Sequence, residues 1–305
     1  MNVCADDRIG RYAVVRPALD RQLAMDAFAA LQGGHPMVAL LELDVTASLR
    51  AIARLRQTGA RVSLFAFVVR SIALAIAEHP DLNLVRHGKR LVRFEDVDVS
   101  VPVEVHTPDG EFPREVVIRR AQHKSAREIY AELEGARSRH DSTGETSDED
   151  RWARRTMGMF RRLPKFMRVA FIRYILRSAF RVKAQAGTTL VTSVGKFASI
   201  PGFSFTFSTG PRAAVFVVGS VVDKPWALEA QIMPRKVLSL SLIVDHDLVD
   251  GAPVARFARR LQELVESADG LRTEDSPRVR APADEHLPSA DQSERTIITA
   301  AVTEE

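Results

Sequence analysis

The chain has 305 residues, of which 46% are hydrophobic and 27% charged, a composition that is typical of a globular protein and excludes a disordered or fibrous one. The net charge of +4 is too small to indicate nucleic-acid binding, so no nucleic acid is expected as a partner. The single cysteine, Cys4, excludes an intramolecular disulfide framework and a cysteine-based zinc site.

The N-terminal region carries no recognisable targeting signal. The opening sequence MNVCADDRIG is acidic where a signal peptide has an apolar segment, and no apolar run approaches the roughly 20 residues that a membrane span needs. We therefore expect a cytoplasmic protein with a flexible N-terminus over residues 1–13, followed by a folded domain over residues 14–267.

The first half of that domain has the pattern of mixed α/β structure. Apolar residues between Leu64 and Ile76 recur at i, i+3, i+4 and i+7, which predicts a helix that ends before Pro80. Five valines between Val97 and Val105 then alternate with mostly polar residues, which predicts a half-buried strand.

Residues 136–184 differ in character and are interpreted as an insertion. From Arg151 to Lys183 there are nine arginines, two lysines and no acidic residue, interleaved with bulky apolar residues, which predicts basic amphipathic helices broken near Pro164. Three interpretations remain open. The helices could pack on the protein or on a sister subunit, residues 151–183 could bind an anionic membrane surface, or they could bind a nucleic acid or an acidic partner.

The second half returns to strand-like runs and ends in a polar tail. The runs GTTLVTSVG, AAVFVVGSVV and VLSLSLIV predict three strands, and the last is followed by the loop DHDLVDG and by a helix with Pro253 in its first turn. Residues 268–305 carry nine acidic residues against four arginines and predict an acidic disordered tail.

The loop DHDLVDG contains the strongest candidate for chemistry. Its spacing is H-x-x-x-D-G, from His246 to Gly251, and a loop between a strand and a helix holds side chains on a rigid support. A histidine there can take a proton from a thiol or hydroxyl at neutral pH. The alternative is a loop histidine with a purely structural role. The seven other histidines are interpreted as surface or turn residues: His35, His79, His87, His106, His123, His140 and His286.

The run LSLSLIVDHDLVDGAPVARFARRLQELVES resembles the C-terminal strand, active-site loop and helix of the dihydrolipoamide acyltransferases, the catalytic cores of 2-oxo acid dehydrogenase complexes. Upstream, GTTLVTSVGKF, GPRAAVFVVGSVVDKP, EDVDVSVPVEV and VSLFAFVVRSIALAIAEHPDLN are similar to further segments of that family, in the same order. Chloramphenicol acetyltransferase and condensation domains are more distantly similar through H-x-x-x-D-G. The resemblance covers residues 14–134 and 186–267.

The resemblance implies an α/β two-layer sandwich with the CoA-dependent, chloramphenicol acetyltransferase-like acyltransferase fold. It implies a homotrimer with the active site in a channel at the subunit interface, coenzyme A or acyl-CoA as substrate, and no metal. His246 matches the family's general base, and Asp250 matches the motif aspartate, expected to orient the base or hold the loop. Thr192 matches the hydroxyl residue that stabilises the oxyanion. Ser193 is the candidate if the match to the family's segment is shifted by one residue. The residues that bind coenzyme A are not assigned.

Two departures from the family leave the acceptor open. Asp247 stands where the family usually has arginine, and this carboxylate could raise the pKa of His246 or belong to a different loop network. We also expect no lipoyl domain N-terminal to the catalytic core, so a lipoyl group is expected only in trans, on another protein. Three hypotheses follow: acyl transfer to a lipoyl-bearing partner, acyl transfer to another thiol, amine or hydroxyl, or an inactive trimeric scaffold that binds membrane or partner proteins through its basic insertion.

Overall fold

The computed structural model describes residues 3–6, 10–13, 19–31, 34–107, 110–141, 160, 163–195, 201–206, 208–228 and 231–271. The strands in these ranges are β1 (Val3–Asp6), β2 (Gly10–Ala13), β3 (Pro36–Asp44), β4 (Leu84–His87), β5 (Arg90–Arg93), β6 (Val99–Thr107), β7 (Gly110–Ile118), β8 (Thr189–Ser193), β9 (Ala214–Leu228) and β10 (Gln231–Asp245). The helices are α1 (Leu19–Ala30), α2 (Thr46–Gln57), α3 (Leu64–Glu78), α4 (Ala126–Asp141), α5 (Lys165–Leu176), α6 (Ala179–Ala186) and α7 (Gly251–Glu266).

Six strands form one mixed sheet in the order β3-β10-β9-β8-β6-β7. The pairs β3/β10, β10/β9 and β6/β7 are antiparallel, whereas β8 runs parallel to both β9 and β6. β9 and β10 are the longest strands, and β10 lies between β9 and the edge strand β3. The predicted strands at all three apolar runs are confirmed, and β9 and β10 extend well beyond the runs that predicted them.

Helices cover one face of this sheet. Helix α3 is buried along most of its length, begins where the Ser63 hydroxyl accepts a hydrogen bond from the Ala66 N–H (3.1 Å), and ends at Glu78, shortly before Pro80. Helices α2, α4 and α7 add apolar side chains to the same core, around Phe67, Phe216 and Phe257. The predicted α/β two-layer sandwich is therefore confirmed.

The alternation of side chains along β10 defines the two faces of the sheet. Leu238, Leu240, Leu242 and Val244 belong to the core beneath the helices, whereas Ser239, Ser241, Ile243 and Asp245 lie on the other side, which we call the second face. On the edge strand β3, the side chains of Val38 and Leu40 also lie on the second face and are 41% and 50% exposed.

Part of the predicted insertion forms helices, and one of them packs on α1. Helix α5 begins directly after Pro164, at the predicted break, and α6 follows. The Arg168 side chain of α5 forms a buried ion pair with Asp26 of α1 (Nε to Oδ2, 2.6 Å). This contact supports the interpretation that the insertion packs on the protein. Residues 142–159 lie outside the described residues.

The two ends of the chain are described only in part. β1 and β2 pair as an antiparallel hairpin within the N-terminus that was predicted to be flexible, and its flexibility stays a prediction. Ala268 and Leu271 are buried in the core, so the packed structure continues past residue 267 into the segment predicted as tail. Residues 272–305 of that tail lie outside the described residues. No described helix is both long and apolar enough to cross a membrane.

Candidate functional site

The candidate site lies where β10 ends and α7 begins. Leu248 and Val249 insert their side chains into the core and anchor the loop between the two elements. The His246 N–H donates a hydrogen bond to the His35 carbonyl (2.9 Å), yet the His246 side chain remains 51% exposed. The imidazole is thus held on a rigid support and is accessible to a substrate.

Asp245, directly before His246, fixes the loop through its buried carboxylate. Its side chain is 2% exposed and accepts hydrogen bonds from the N–H groups of His35 (3.3 Å) and Asp247 (3.1 Å). The Arg86 guanidinium adds an ion pair at 3.2 Å. A buried carboxylate is costly unless it is paired and hydrogen-bonded, and these three donors meet that requirement.

Asp247 pairs with residues distant in sequence. His35 Nδ1 donates to Asp247 Oδ1 (2.8 Å), and Arg86 Nη2 donates to Asp247 Oδ2 (3.3 Å). The hydrogen bond and charge of Asp247 raise the pKa of His35 above its ordinary value, and the bond from His35 lowers the pKa of Asp247. The family's usual arginine after the histidine is absent, but Arg86 supplies a guanidinium beside the same loop.

The His35–Asp247 pair predicts a specific pH dependence. The pKa of His35 is raised in the folded chain. The pair's contribution to the free energy of unfolding is therefore fully present below the ordinary pKa of 6.5 and is lost as the pH rises through the raised pKa. We expect NMR titration to show a His35 pKa above 6.5, moving back toward 6.5 in Asp247→Asn. An unchanged His35 pKa in that variant would show that the pair does not form in solution.

Asp250 does not hold the loop in this structure. It is the N-cap residue of α7, but its side chain makes no capping hydrogen bond and is 86% exposed. Its Oδ1 lies 4.0 Å from His246 Nδ1, beyond hydrogen-bonding distance but close enough for a charge interaction with a protonated imidazole. The side chains of Asp245 and Asp247 are the ones that bind His35 and Arg86 and so restrain the loop.

Thr192 and Ser193 project from opposite faces of the sheet. Thr192 pairs through Val217 with Ser241, so it lies on the second face. Ser193 pairs with Val218, a core residue, and lies on the helix-covered side. The register therefore separates the two candidates, which the sequence left open, and only Thr192 shares a face with Asp245.

A single chain does not bring Thr192 to His246. Thr192 lies two strands from β10 and level with Ser241, five residues before His246. With about 3.3 Å per residue and 4.8 Å between strands, the two positions are about 19 Å apart. One chain therefore cannot place both side chains on one reacting group.

The backbone beside Thr192 depends on a glycine. A Cβ on Gly195 would lie 2.3 Å from the Gly219 carbonyl oxygen of β9, a distance that no side chain tolerates. We expect Gly195→Ala to reduce the free energy of unfolding by about 1–3 kcal/mol, as overpacking does, measured by urea denaturation. Gly135→Ala is the matched control, because nothing lies within 4 Å of that Cβ. Equal stability of the two variants would contradict this close approach.

A sequence model of a protein family matches most of this chain. The model described as "2-oxoacid dehydrogenases acyltransferase (catalytic domain)" matches residues 25–150 and 181–272, more than two thirds of the chain. The chain belongs to this family. The model leaves residues 151–180 unmatched, and these lie within the predicted insertion and include α5.

A curated relative agrees with that membership. The lipoamide acyltransferase component of the branched-chain alpha-keto acid dehydrogenase complex of Bacillus subtilis is 26% identical over 212 residues, covering 69% of this chain and 41% of the relative. The chain thus spans about two fifths of that relative's length.

A probable dihydrolipoamide acetyltransferase from Listeria monocytogenes has a similar fold, with a TM-score of 0.63, 21% identity and coverage of 84% of this chain and 95% of that one. The cubic core of a pyruvate dehydrogenase multienzyme complex gives a TM-score of 0.61, 21% identity and coverage of 87% and 96%. The predicted acyltransferase fold is confirmed.

Three residues that support the loop, Asp245, His35 and Arg86, were not predicted from the sequence. Asp245 is the first residue of the loop DHDLVDG. Its position at the end of an apolar strand is the signal that could have identified it as a buried carboxylate. His35, interpreted as a surface residue, is indeed 82% exposed in its side chain but also binds Asp247. Nothing in the sequence near Arg86 connects it to a loop 159 residues away.

Proposed function

We propose that this chain transfers an acyl group between coenzyme A and a thiol or another nucleophilic acceptor, with His246 as the general base. The observation that carries the proposal is the half-exposed His246, held on a loop that is anchored by Leu248, Val249 and the buried Asp245, in the position of the family's H-x-x-x-D-G motif.

The proposed chemistry needs only a base and an oxyanion donor. His246 takes the proton from the attacking thiol, and the thiolate adds to the thioester carbonyl to form a tetrahedral intermediate. The Thr192 hydroxyl donates a hydrogen bond to the oxyanion. Collapse of the intermediate expels the first thiol as a thiolate, which takes the proton back from His246, so that no net proton is released.

We propose that His246 and Thr192 meet at an interface between copies of the chain, in a homotrimer. The separation of about 19 Å within one chain supports this, because a neighbouring copy must then supply the hydroxyl. The exposed Val38 and Leu40 support it as well, since they leave an apolar strip on the edge strand, on the same face as Thr192.

Release of free coenzyme A thiol tests the proposed function. Purified protein is incubated with a panel of acyl-CoAs, with and without dihydrolipoamide, beside the His246→Ala variant. Release that requires dihydrolipoamide and His246 would support a lipoyl group, presented by another protein, as the acceptor. Release with a different thiol, amine or hydroxyl would support acyl transfer to another acceptor. No release across the panel would contradict the catalytic proposal and favour the scaffold.

The scaffold alternative has one observation in its favour. On α5, Met167 and Phe171 expose 44% and 50% of their surface, and every charged residue between residues 163 and 183 is basic. Exposed apolar side chains beside cations are typical of a helix that binds an anionic membrane surface.

Vesicle sedimentation tests this second candidate. If α5 binds a membrane surface, the protein will sediment with phosphatidylserine vesicles and not with phosphatidylcholine vesicles, and Met167→Ser/Phe171→Ser will lose the binding. Met25→Ser on α1, which alters a side chain that is 52% exposed, is the control. Equal sedimentation of all three proteins would contradict membrane binding by α5.

A further inference from the structure

A basic cleft lies beside the active-site loop. It has a volume of about 1130 Å³ and is bounded by α5, the end of α1, the turn between β4 and β5, and Gly210-Pro211. Five cationic side chains line it, namely Arg86, Lys89, Lys165, Arg173 and Arg177, and no carboxylate is among its described lining residues. The volume is slightly above the range of about 300–1,000 Å³ that is usual for small-molecule sites.

The positive charge of the cleft is only partly compensated. Arg86 is paired with Asp245 and Asp247, and Arg173 donates a hydrogen bond to the Ala29 carbonyl (3.3 Å). Within the part of the chain that the structure describes, Lys89, Lys165 and Arg177 make no ion pair. An anion in the cleft would therefore meet cations that are not already neutralised.

The backbone segments that carry two of these cations meet at one end of the cleft. The Gly88 N–H donates a hydrogen bond to the Arg177 carbonyl (3.0 Å), which ties the β4–β5 turn to the end of α5. This contact places the backbones of Lys89 and Arg177 close together, and both residues line the cleft. A phosphate or a carboxylate is the kind of group that lysine and arginine side chains bind.

The remaining wall is apolar. Phe166 and Tyr174 line the cleft on α5 and are 72% and 58% exposed, and Leu31, Val169 and Leu176 add aliphatic surface. Phe166, Arg173 and Arg177 are spaced at i, i+7 and i+11, so they lie along one side of α5. A fitting ligand has both an apolar part and a negative charge.

We propose that the cleft binds a single-chain amphiphile whose phosphate or carboxylate head contacts Lys89 and Arg177 and whose apolar chain lies against α5. The α5 wall of the cleft and Arg177 lie in the stretch that the family model leaves unmatched, whereas Arg86, Lys89 and the rest of the lining belong to the matched ranges. Arg86 joins the cleft to the loop, since its guanidinium lines the cleft and also binds Asp245 and Asp247. The binding does not require that His246 act as a base.

Calorimetric titration of the full chain tests the proposal with dodecyl phosphate and dodecanoate, each below its micellar concentration. We expect one molecule of at least one of these anions to bind per chain, and the affinity to fall as salt is added. Inorganic phosphate, which lacks the chain, and dodecyl maltoside, which lacks the charge, should each bind at least about tenfold more weakly.

Lys89, in the β4–β5 turn, and Arg90, the first residue of β5, provide a matched pair of single variants. Lys89→Glu should weaken binding by at least about tenfold and Lys89→Glu/Arg177→Glu by more, whereas Arg90→Glu, which reverses an exposed charge outside the cleft, should leave it within about twofold. Thermal unfolding checks that the variants are folded. If the variant with glutamate at both positions is not folded, Lys89→Gln/Arg177→Gln takes its place.

Three results would overturn the proposal: no binding of either anion, equal weakening by Arg90→Glu, or equal affinity for inorganic phosphate or dodecyl maltoside. The first would show that the cleft takes no anionic amphiphile. The second would show a general charge effect, and the third would show that the charge or the chain is irrelevant.

Discussion

Replacing His246 by alanine will lower the rate of acyl transfer by about 10²–10⁴-fold, the usual contribution of a general base. The loss should appear in kcat, because in the proposed mechanism the imidazole moves a proton in the transition state and does not hold the acyl group. The free energy of unfolding should change little, since the side chain is half exposed and the loop is anchored by other residues. Steady-state kinetics and urea denaturation measure the two quantities.

His123→Ala is the control for that experiment. His123 is exposed, lies outside the loop and is not expected to take part in catalysis. Its variant should transfer acyl groups at the normal rate. Near-normal transfer by His246→Ala would contradict the assignment of the base, and an equal loss in both variants would point to a general effect of removing an imidazole.

Thr192→Val will lower the rate of transfer by about 10²–10³-fold, because the variant keeps the shape of the side chain and removes only the oxyanion donor. Ser193→Ala should have a much smaller effect, because Ser193 lies on the helix-covered side of the sheet. A large loss in Ser193→Ala with little loss in Thr192→Val would contradict the assignment of the donor.

Mixing the two inactive variants tests where the site is assembled. If His246 of one copy acts with Thr192 of the next, subunit exchange between His246→Ala and Thr192→Val chains in equal amounts will restore about 25% of wild-type activity, since one interface in four carries both intact residues. If both residues act within one chain, mixing will restore none. Refolding the mixture ensures that the subunits exchange, and separately refolded variants are the control.

Local patterns in the sequence were sufficient to predict the main elements of the fold. The apolar stripe of α3, its end before Pro80 and the alternation along β10 each depend on residues a few positions apart. Such local patterns predict the elements because one face of each element is buried in the core. The H-x-x-x-D-G loop was predicted for the same reason, since a strand, the loop and α7 follow one another directly in the chain.

The support of His246 and the choice between Thr192 and Ser193 were decided only by the tertiary structure. Asp245 is held by Arg86 and His35, which lie 159 and 210 residues away, and no local pattern links groups that meet only when β3 and β4 approach β10. The face on which Thr192 lies depends on the pairing register of β8 with β9, and a shift of one residue would exchange it with Ser193. The basic cleft likewise exists only because α5 packs on α1 through Arg168 and Asp26, which brings together charges that are scattered along the sequence.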